Sequence, residues 1–146
     1  MRALWLLLAL PAHALEIRTD PPARCAMSDA VVVAEVTSTQ SGWVAGPVGG
    51  IATTVDVDVS RVAHGHAPTS LQIVLPGGRA DGYWQWVEDV PALTVDHRYL
   101  LYLRAGDDGT WGLVGGEASA VALRFGPDGQ ADEAAAIAAL GSCDAR

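Results

Sequence analysis

The sequence has no lysine, and all nine of its basic residues are arginines. Because lysine codons are rich in A, this absence, beside abundant Ala, Gly, Val and Arg, indicates a GC-rich genome, and we expect a bacterial source. Without the first fourteen residues, which resemble a signal peptide as described below, residues 15–146 carry eight arginines and seventeen carboxylates, a formal charge of −9. A field of this sign repels phosphate backbones and anionic lipid surfaces. We therefore expect no nucleic-acid partner.

Motifs for nucleophilic catalysis are also absent. Ser119 and Ser142 lie in no G-x-S-x-G pattern, and the cysteines form no C-x-x-C pair. The chain contains no internal repeat and no low-complexity block. Its longest apolar run, residues 3–10, is too short to span a bilayer as a helix. We expect no membrane insertion once the first fourteen residues are removed.

Residues 1–14 have the composition of a secretory signal peptide. Arg2 supplies a positive charge, residues 3–10 are apolar, and Ala12-His13-Ala14 places small residues where a signal peptidase cuts. We expect the mature protein to begin at Leu15 and to act in the periplasm, in the cell envelope or outside the cell. The alternative is an N-terminal helix that stays buried in the fold. The remaining 132 residues, 15–146, suit a single domain.

The two cysteines, Cys25 and Cys143, lie far apart in the sequence. An even number of cysteines in an exported protein favours a disulfide, so we predict a bond between them. A reactive thiol or a metal-binding pair is the alternative, but neither cysteine has a histidine next to it in the sequence. Cys25 follows Pro22-Ala23-Arg24 and does not resemble a lipobox cysteine.

Apolar and β-branched stretches, separated by Gly, Pro and Asp turn signals, predict a β-rich domain. The predicted strands are residues 29–39, 51–61, 70–75, 98–103, 110–114 and 119–125, with a shorter one at 83–87. A loop is predicted at 41–50 and a turn at 64–68. The alanine-rich residues 130–140 predict a short helix that packs Ala135, Ile137, Ala138 and Leu140 on the strands. Five or six strands without long intervening helices predict an all-β barrel or sandwich.

The order of several motifs resembles that of a known group of proteins. These motifs are S-D-A-V-V-V-A-E-V, I-A-T-T-V-D-V-D-V-S-R-V-A-H-G, L-P-G-G, V-P-A-L-T-V-D-H-R-Y-L-L-Y-L and W-G-L-V-G-G, between residues 28 and 116. The chain resembles small exported bacterial proteins with an OB-like barrel, which are distantly similar to netrin-like domains and to the tissue inhibitors of metalloproteinases. This resemblance implies an all-β fold, a five- to six-stranded OB-like closed barrel with a short C-terminal helix.

One departure from those inhibitors concerns the N-terminus. Their mature chains begin with a cysteine whose amine and carbonyl chelate the zinc of the protease, whereas this chain would begin at Leu15. The inhibitory mechanism of that family therefore does not carry over to this sequence residue by residue.

Arg79, Tyr83, Trp84 and Trp86 are the candidate binding residues. In a strand, Trp84 and Trp86 share a face, which would stack on a sugar ring or contact an apolar partner surface. The alternative, which the sequence favours, is that these aromatics plug one end of the barrel, since the chain has only one Phe. The P-G-G-R segment at 76–79 would offer an anion backbone N–H groups and Arg79, although a plain turn is the simpler interpretation.

Three histidines are weak metal candidates. His64 and His66 have the i, i+2 spacing that points two imidazoles to one side of an extended segment, and His97 would supply a third ligand. However, Gly65 and Pro68 mark an exposed turn, where histidines need no metal to explain them. We therefore predict no metal site and no other cofactor.

Asp56, Asp58, Glu88 and Asp89 are the acids available to a hydrolase. Asp56 and Asp58 share one face of a predicted strand, at a spacing that would suit a calcium ion or an acid pair. Alternation along a half-solvated strand explains them equally well.

These features together predict an exported, non-catalytic binding module that contacts an unidentified protein partner through loops at one end of the barrel. We expect a monomer. An inhibitor or accessory factor of an exported protease is the specific form of this hypothesis. The alternatives are a hydrolase that uses scattered carboxylates and a structural component of the envelope.

Overall fold

A computed structural model of the protein describes residues 20–45 and 49–143. The predicted signal peptide, residues 1–14, and the predicted new terminus Leu15 lie outside the described residues. The elements are α1 (Pro21–Ala26), β1 (Ala30–Val44), β2 (Gly50–Gly65), β3 (Ser70–Pro76), β4 (Gly78–Ala80), β5 (Tyr83–Gln85), β6 (Arg98–Ala105), β7 (Trp111–Leu113), a 3-10 turn (Gly116–Ser119), β8 (Ala120–Leu123) and α2 (Gly126–Ala138). In this part of the chain, no helix has the length and apolar character needed to cross a membrane.

The strand pairings follow one another in a ring. β1 pairs antiparallel with both β2 and β6, and β2 pairs antiparallel with β3. β6 also pairs antiparallel with β7, and a parallel pairing between Ile73 on β3 and Trp111 on β7 completes the ring. β8 adds to β6, while β4 and β5 form a separate hairpin. The prediction of a β-rich fold with a short C-terminal helix is confirmed.

Two apolar clusters lie on opposite faces of β1. Val32 and Val36 belong to a cluster that includes Ile73 of β3. Val31 and Val33 point the other way, into a second cluster with residues of α1 and of the chain after α2. The run A-V-V-V-A at 30–34 is therefore buried on both faces, as its continuous apolar character requires. β2, whose residues alternate, buries mainly one face.

The two longest strands extend further than the sequence predicted. Residues 41–44, expected to be loop, continue β1 and pair with residues 50–53 at the start of β2. At its other end, β2 continues to Gly65, so His64 lies in a strand and not in the predicted exposed turn. Cross-strand pairing outweighs the weak strand preference of Gly and Ser at these ends.

The segment before β1 contains a helix, α1, that was not among the predicted elements. Asp20 caps α1, with its Oδ1 accepting a hydrogen bond of 2.9 Å from the backbone N–H of Ala23. Pro21 suits the first helical position, which needs no N–H donor. The signal was thus present in the sequence as an Asp followed by Pro. The helix buries Cys25 completely.

The predicted disulfide is present. Cys25 in α1 is bonded to Cys143 in the segment after α2, and their Cα atoms are 5.3 Å apart. This Cα–Cα separation lies within the usual range for disulfides, about 4.4 to 6.8 Å. The bond joins two segments that are 118 residues apart in the sequence.

Helix α2 packs on the second apolar cluster, but it starts earlier than predicted and buries a different set of alanines. Leu140 is buried and Ile137 is half-buried in this cluster, as predicted. Ala135 and Ala138 are exposed instead, and Ala136 takes the packed position. Pro127 fits the first turn, so residues 126–129, which precede the helix predicted at 130–140, begin α2.

Ion pairs hold α2 to the strands. Arg124, just after β8, donates from Nε and Nη2 to the two carboxylate oxygens of Asp132, each at 2.8 Å. Its backbone N–H also donates to Asp132. Glu133 accepts from Arg98 of β6 at 2.7 Å. The two-pronged geometry of the Arg124 pair fixes orientation as well as distance.

We expect Cys143→Ser to lower the free energy of unfolding by about 4 to 5 kcal/mol, because the unfolded chain is no longer closed into a loop spanning 118 residues. Denaturant unfolding under non-reducing conditions measures this loss. The exposed neighbour Ser142 offers the control, Ser142→Ala. Equal unfolding midpoints for Cys143→Ser and the parent protein would contradict a stabilising bond.

Acid is expected to weaken the attachment of α2. The side-chain hydrogen bond from Arg124 lowers the pKa of Asp132 from 3.8 to about 2. Because the pKa is lower in the folded protein, the ionised carboxylate stabilises the fold above pH 3.8, and this contribution disappears as the pH falls toward about 2. Asp132→Asn should remove this part of the pH dependence, measured as urea midpoints across that range. Asp128→Asn should retain it, and an unchanged profile in Asp132→Asn would refute the assignment.

Candidate functional site

Arg79, Tyr83 and Trp84 lie on the hairpin formed by β4 and β5, which is outside the ring of strands. The strand predicted at 83–87 ends at Gln85, so Trp86 follows it and does not share a strand face with Trp84. Asp81 and Gly82 connect β4 and β5 with positive φ angles of 50° and 79°. Two such residues in succession form the turn that matches the twist of a two-residue hairpin, and Asp-Gly is a preferred pair. The P-G-G-R segment, interpreted as a plain turn, ends β3 and begins β4. The Asp81-Gly82 pair was the sequence signal for this hairpin.

Polar contacts anchor the hairpin to the start of β2. The side-chain carbonyl of Gln85 accepts a hydrogen bond of 2.7 Å from the backbone N–H of Ile51. Thr53 donates from its hydroxyl to the carbonyl oxygen of Gly77 at 2.8 Å and also contacts the hydroxyl of Ser41 at 2.7 Å. The hairpin is therefore held in one orientation by half-buried groups of β1 and β2.

Four large aromatic side chains are exposed at this place, and we call them the aromatic surface: Trp43, Tyr83, Trp84 and Trp86. Their exposed fractions are 54%, 66%, 67% and 68%, respectively. The rings of Trp43 and Tyr83 meet edge to face with centroids 5.7 Å apart. Trp43 donates from its indole N–H to Asp81 at 2.9 Å.

The alternative in which these aromatics plug a barrel end is wrong. Aliphatic side chains, among them Leu101, Leu103 and Ile73, already fill the cluster enclosed by the ring. The hairpin carries its aromatic residues outside that cluster. Trp111 is different, since it lies in β7 and packs partly buried against the same cluster.

A groove of about 310 Å³ opens beside the aromatic surface. Trp84 and Trp86 form part of its wall, and the wall also includes Leu75, Val87, Val90, Pro91 and Leu93. A second depression is lined by Arg79, Tyr83 and Trp84. Arg79 is directly opposite Trp84 in the β4–β5 pairing. The structure thus brings all four predicted binding residues together and adds Trp43 from the end of β1.

The three histidines do not assemble. His66 is exposed, and the exposed His97 forms a ring nitrogen contact of 3.1 Å with the carbonyl oxygen of Val95. His64 is half-buried and lies instead beside the disulfide, where its ring nitrogen and the two sulfur atoms are all within 4.8 Å of one another. Within residues 20–45 and 49–143, this is the one group of three or more candidate metal ligands at such spacing.

The four carboxylates of the hydrolase hypothesis are either hydrogen-bonded within the fold or exposed, and none lines the groove. Asp56 accepts hydrogen bonds from Ser38 at 2.6 Å and from Gln72 at 2.9 Å, and these bonds lower its pKa. Asp89 accepts the backbone N–H of Glu117 at 3.0 Å. Asp58 and Glu88 are exposed. None of these acids is among the residues that line the groove beside the aromatic surface.

The sequence has no significant match to a protein-family model or to a curated protein. The resemblance to OB-like barrels and netrin-like domains therefore stays a prediction.

We expect Gln85→Leu to loosen the β4–β5 hairpin, because the N–H of Ile51 loses its acceptor, at a cost of about 1 kcal/mol. Faster hydrogen exchange at the amides of β4 and β5 measures this effect. The matched control is Gln72→Leu, since Gln72 donates to Asp56 on an exposed strand face away from the hairpin. Equal exchange in the two variants would show that Gln85 does not anchor the hairpin.

Proposed function

We propose that the protein is an exported, non-catalytic binding module that contacts a partner protein through the aromatic surface. The observation that carries this proposal is the exposure, by more than half, of Tyr83 and Trp84 on the anchored hairpin, of Trp86 directly after it and of Trp43 at the end of β1. Each such side chain can bury about 150 to 250 Å² in a contact. Large exposed apolar patches of this kind mark interaction sites in proteins.

The composition of the surface favours a protein partner. Trp, Tyr and Arg are the residues most enriched where binding energy concentrates in protein interfaces, and the hairpin supplies all three. The groove between the aromatic side chains and Leu75, Val90 and Leu93 suits an apolar side chain of the partner. Arg79, which lines the second depression with Tyr83 and Trp84, suits a carboxylate or a backbone carbonyl of the partner. Because the hairpin is anchored, little conformational entropy is lost when it binds.

The scaffold in this proposal is an OB-like closed barrel. The ring order β1-β2-β3-β7-β6, with its parallel pairing between β3 and β7, supports this assignment. Loops of a rigid barrel can vary without loss of the core, which suits them to binding. Export is supported by the disulfide between Cys25 and Cys143 and by the signal-like residues 1–14.

An inhibitor or accessory factor of an exported protease is the specific form of the proposal. Cys25 is fully buried in α1 and bonded to Cys143, so an inhibitor of this kind would act through the aromatic surface and not through a cysteine at the N-terminus. An assay against a panel of exported metalloproteases tests this form. No inhibition at high micromolar concentration would reject the inhibitor form and leave the accessory-factor form.

We expect Trp84→Ala and Trp86→Ala each to weaken partner binding by about 2 kcal/mol or more, which is about 30-fold or more in Kd. The partner is captured from the native envelope or medium with the parent protein, and each variant is then titrated against it. Phe125→Ala is the matched control, because Phe125 is 57% exposed but lies before α2, outside the aromatic surface. Unchanged affinity of both tryptophan variants, with intact circular dichroism, would contradict the proposal.

A further inference from the structure

Two sulfur atoms and one imidazole meet where α1, β2 and the segment after α2 come together. Cys25 belongs to α1, His64 to β2, and Cys143 follows α2. One donor atom from each residue lies within 4.8 Å of the others. We call this group the Cys-His cluster.

The backbone of β2 explains why His64 reaches the cysteines. Gly65, the next residue, has a φ of 73° and passes so close to the carbonyl oxygen of Asp29 that a side chain would collide there. His64 is the pairing partner of Val31 in β1. Val31 and Cys25 belong to the same apolar cluster. The close approach of β2 to the start of β1 therefore places the imidazole of His64 beside the disulfide.

The donor set is one that zinc accepts. Two thiolates and one imidazole leave a fourth position for water, an arrangement known in zinc proteins. With bond lengths of about 2.3 Å to sulfur and about 2.0 Å to nitrogen, tetrahedral ligands lie about 3.5 to 3.8 Å apart. The imidazole nitrogen of His64, which lies within 4.8 Å of both sulfurs, needs to approach them by at most about 1.3 Å to meet this geometry. Once the bond is reduced, the two sulfurs, about 2.0 Å apart in a disulfide, need to separate by about 1.7 Å. Cys143 lies outside the helices and strands.

We propose that the reduced chain binds one Zn²⁺, or a similar thiophilic divalent cation, through Cys25, Cys143 and His64. The metal then holds α1 to the segment after α2 in place of the disulfide. Soft thiolate ligands select such cations over magnesium or calcium. Because the bound metal joins the same segments as the disulfide, it stabilises the same fold.

The redox step requires a thiol or phosphine reductant. A dithiol delivers two electrons and two protons to the Cys25–Cys143 bond, which breaks into two thiols while the dithiol closes to its own disulfide. Each cysteine thiol then loses its proton as its sulfur binds the metal, and His64 binds as neutral imidazole. In the oxidised protein no thiolate exists, so the cluster has a single strong donor, His64.

Cobalt(II) is the probe for the first test, because it reports thiolate ligands through charge-transfer absorption and tetrahedral geometry through strong visible bands. The whole chain is reduced with a water-soluble phosphine, which takes its oxygen from water to form the phosphine oxide, and excess reagent is removed without air. We expect one cobalt per chain with both spectral features, and displacement of the cobalt by Zn²⁺. The oxidised chain should show neither feature.

The role of His64 is tested against that of its neighbour. We expect His64→Ala to weaken zinc binding by at least about tenfold, since even loss of a group that only supports a ligand costs that much. His66→Ala, two residues away and exposed, should bind zinc as the parent protein does. Equal affinities in the two variants would overturn the proposal, because they would mean that the cysteines bind without His64.

The thermal stability of the reduced chain provides a second test, which can be interpreted even if reduction loosens the fold. The thermal midpoint of the reduced chain should rise with Zn²⁺ and fall again with a chelator, and this rise should be absent in His64→Ala. A reduced chain whose midpoint or helix content does not respond to Zn²⁺ would also overturn the proposal. Neither result depends on the aromatic surface, so this inference and the proposed function can fail separately.

Discussion

Strand β1 is the constraint on which the rest of the structure depends. It is hydrogen-bonded on both edges, to β2 and to β6, and residues 30–34 are buried on both faces. Because both faces of β1 are apolar there, other elements must pack on each face to exclude water. The ring of strands covers one face, while α1, α2 and the disulfide cover the other. The second apolar face of β1 therefore requires the two helices. The disulfide joins α1 to the segment after α2, the two parts of the chain that pack on this face.

The scaffold and the candidate site are separate parts of the molecule. Packing within the ring depends mainly on aliphatic residues, with Tyr99 and the partly buried Trp111 beside them. The β4–β5 hairpin contributes its aromatic side chains to the surface instead. The contacts of Gln85 with Ile51 and of Thr53 with Gly77 connect the two parts through hydrogen bonds. The aromatic residues can therefore be changed with little effect on the core, which is the arrangement expected of a binding surface presented by a rigid fold.

In the proposal for the Cys-His cluster, the contact between α1 and the segment after α2 has two chemical states, a disulfide and a metal-bound dithiolate. In the oxidised protein the sulfur atoms satisfy each other and His64 is a half-buried neighbour. Once the bond is reduced, the same three residues present a set of soft and borderline donors. The location at the junction of α1, β2 and the end of α2 means that either bond, covalent or through a metal, closes the same long loop.

Local chemistry in the sequence was enough to predict most of the strands, the terminal helix and the disulfide pair. The alternation at 51–60 predicts one buried face, and the apolar run at 30–34 predicts two, because successive side chains of a strand point to opposite faces. With two cysteines, only one pairing was available. Asp81-Gly82 and Asp20-Pro21 are local signals for the β4–β5 hairpin and for the capped helix α1, neither of which was predicted. Tertiary structure alone decided whether Trp84 and Trp86 are buried and which residues lie beside His64, because both depend on how distant segments pack and no local pattern encodes that.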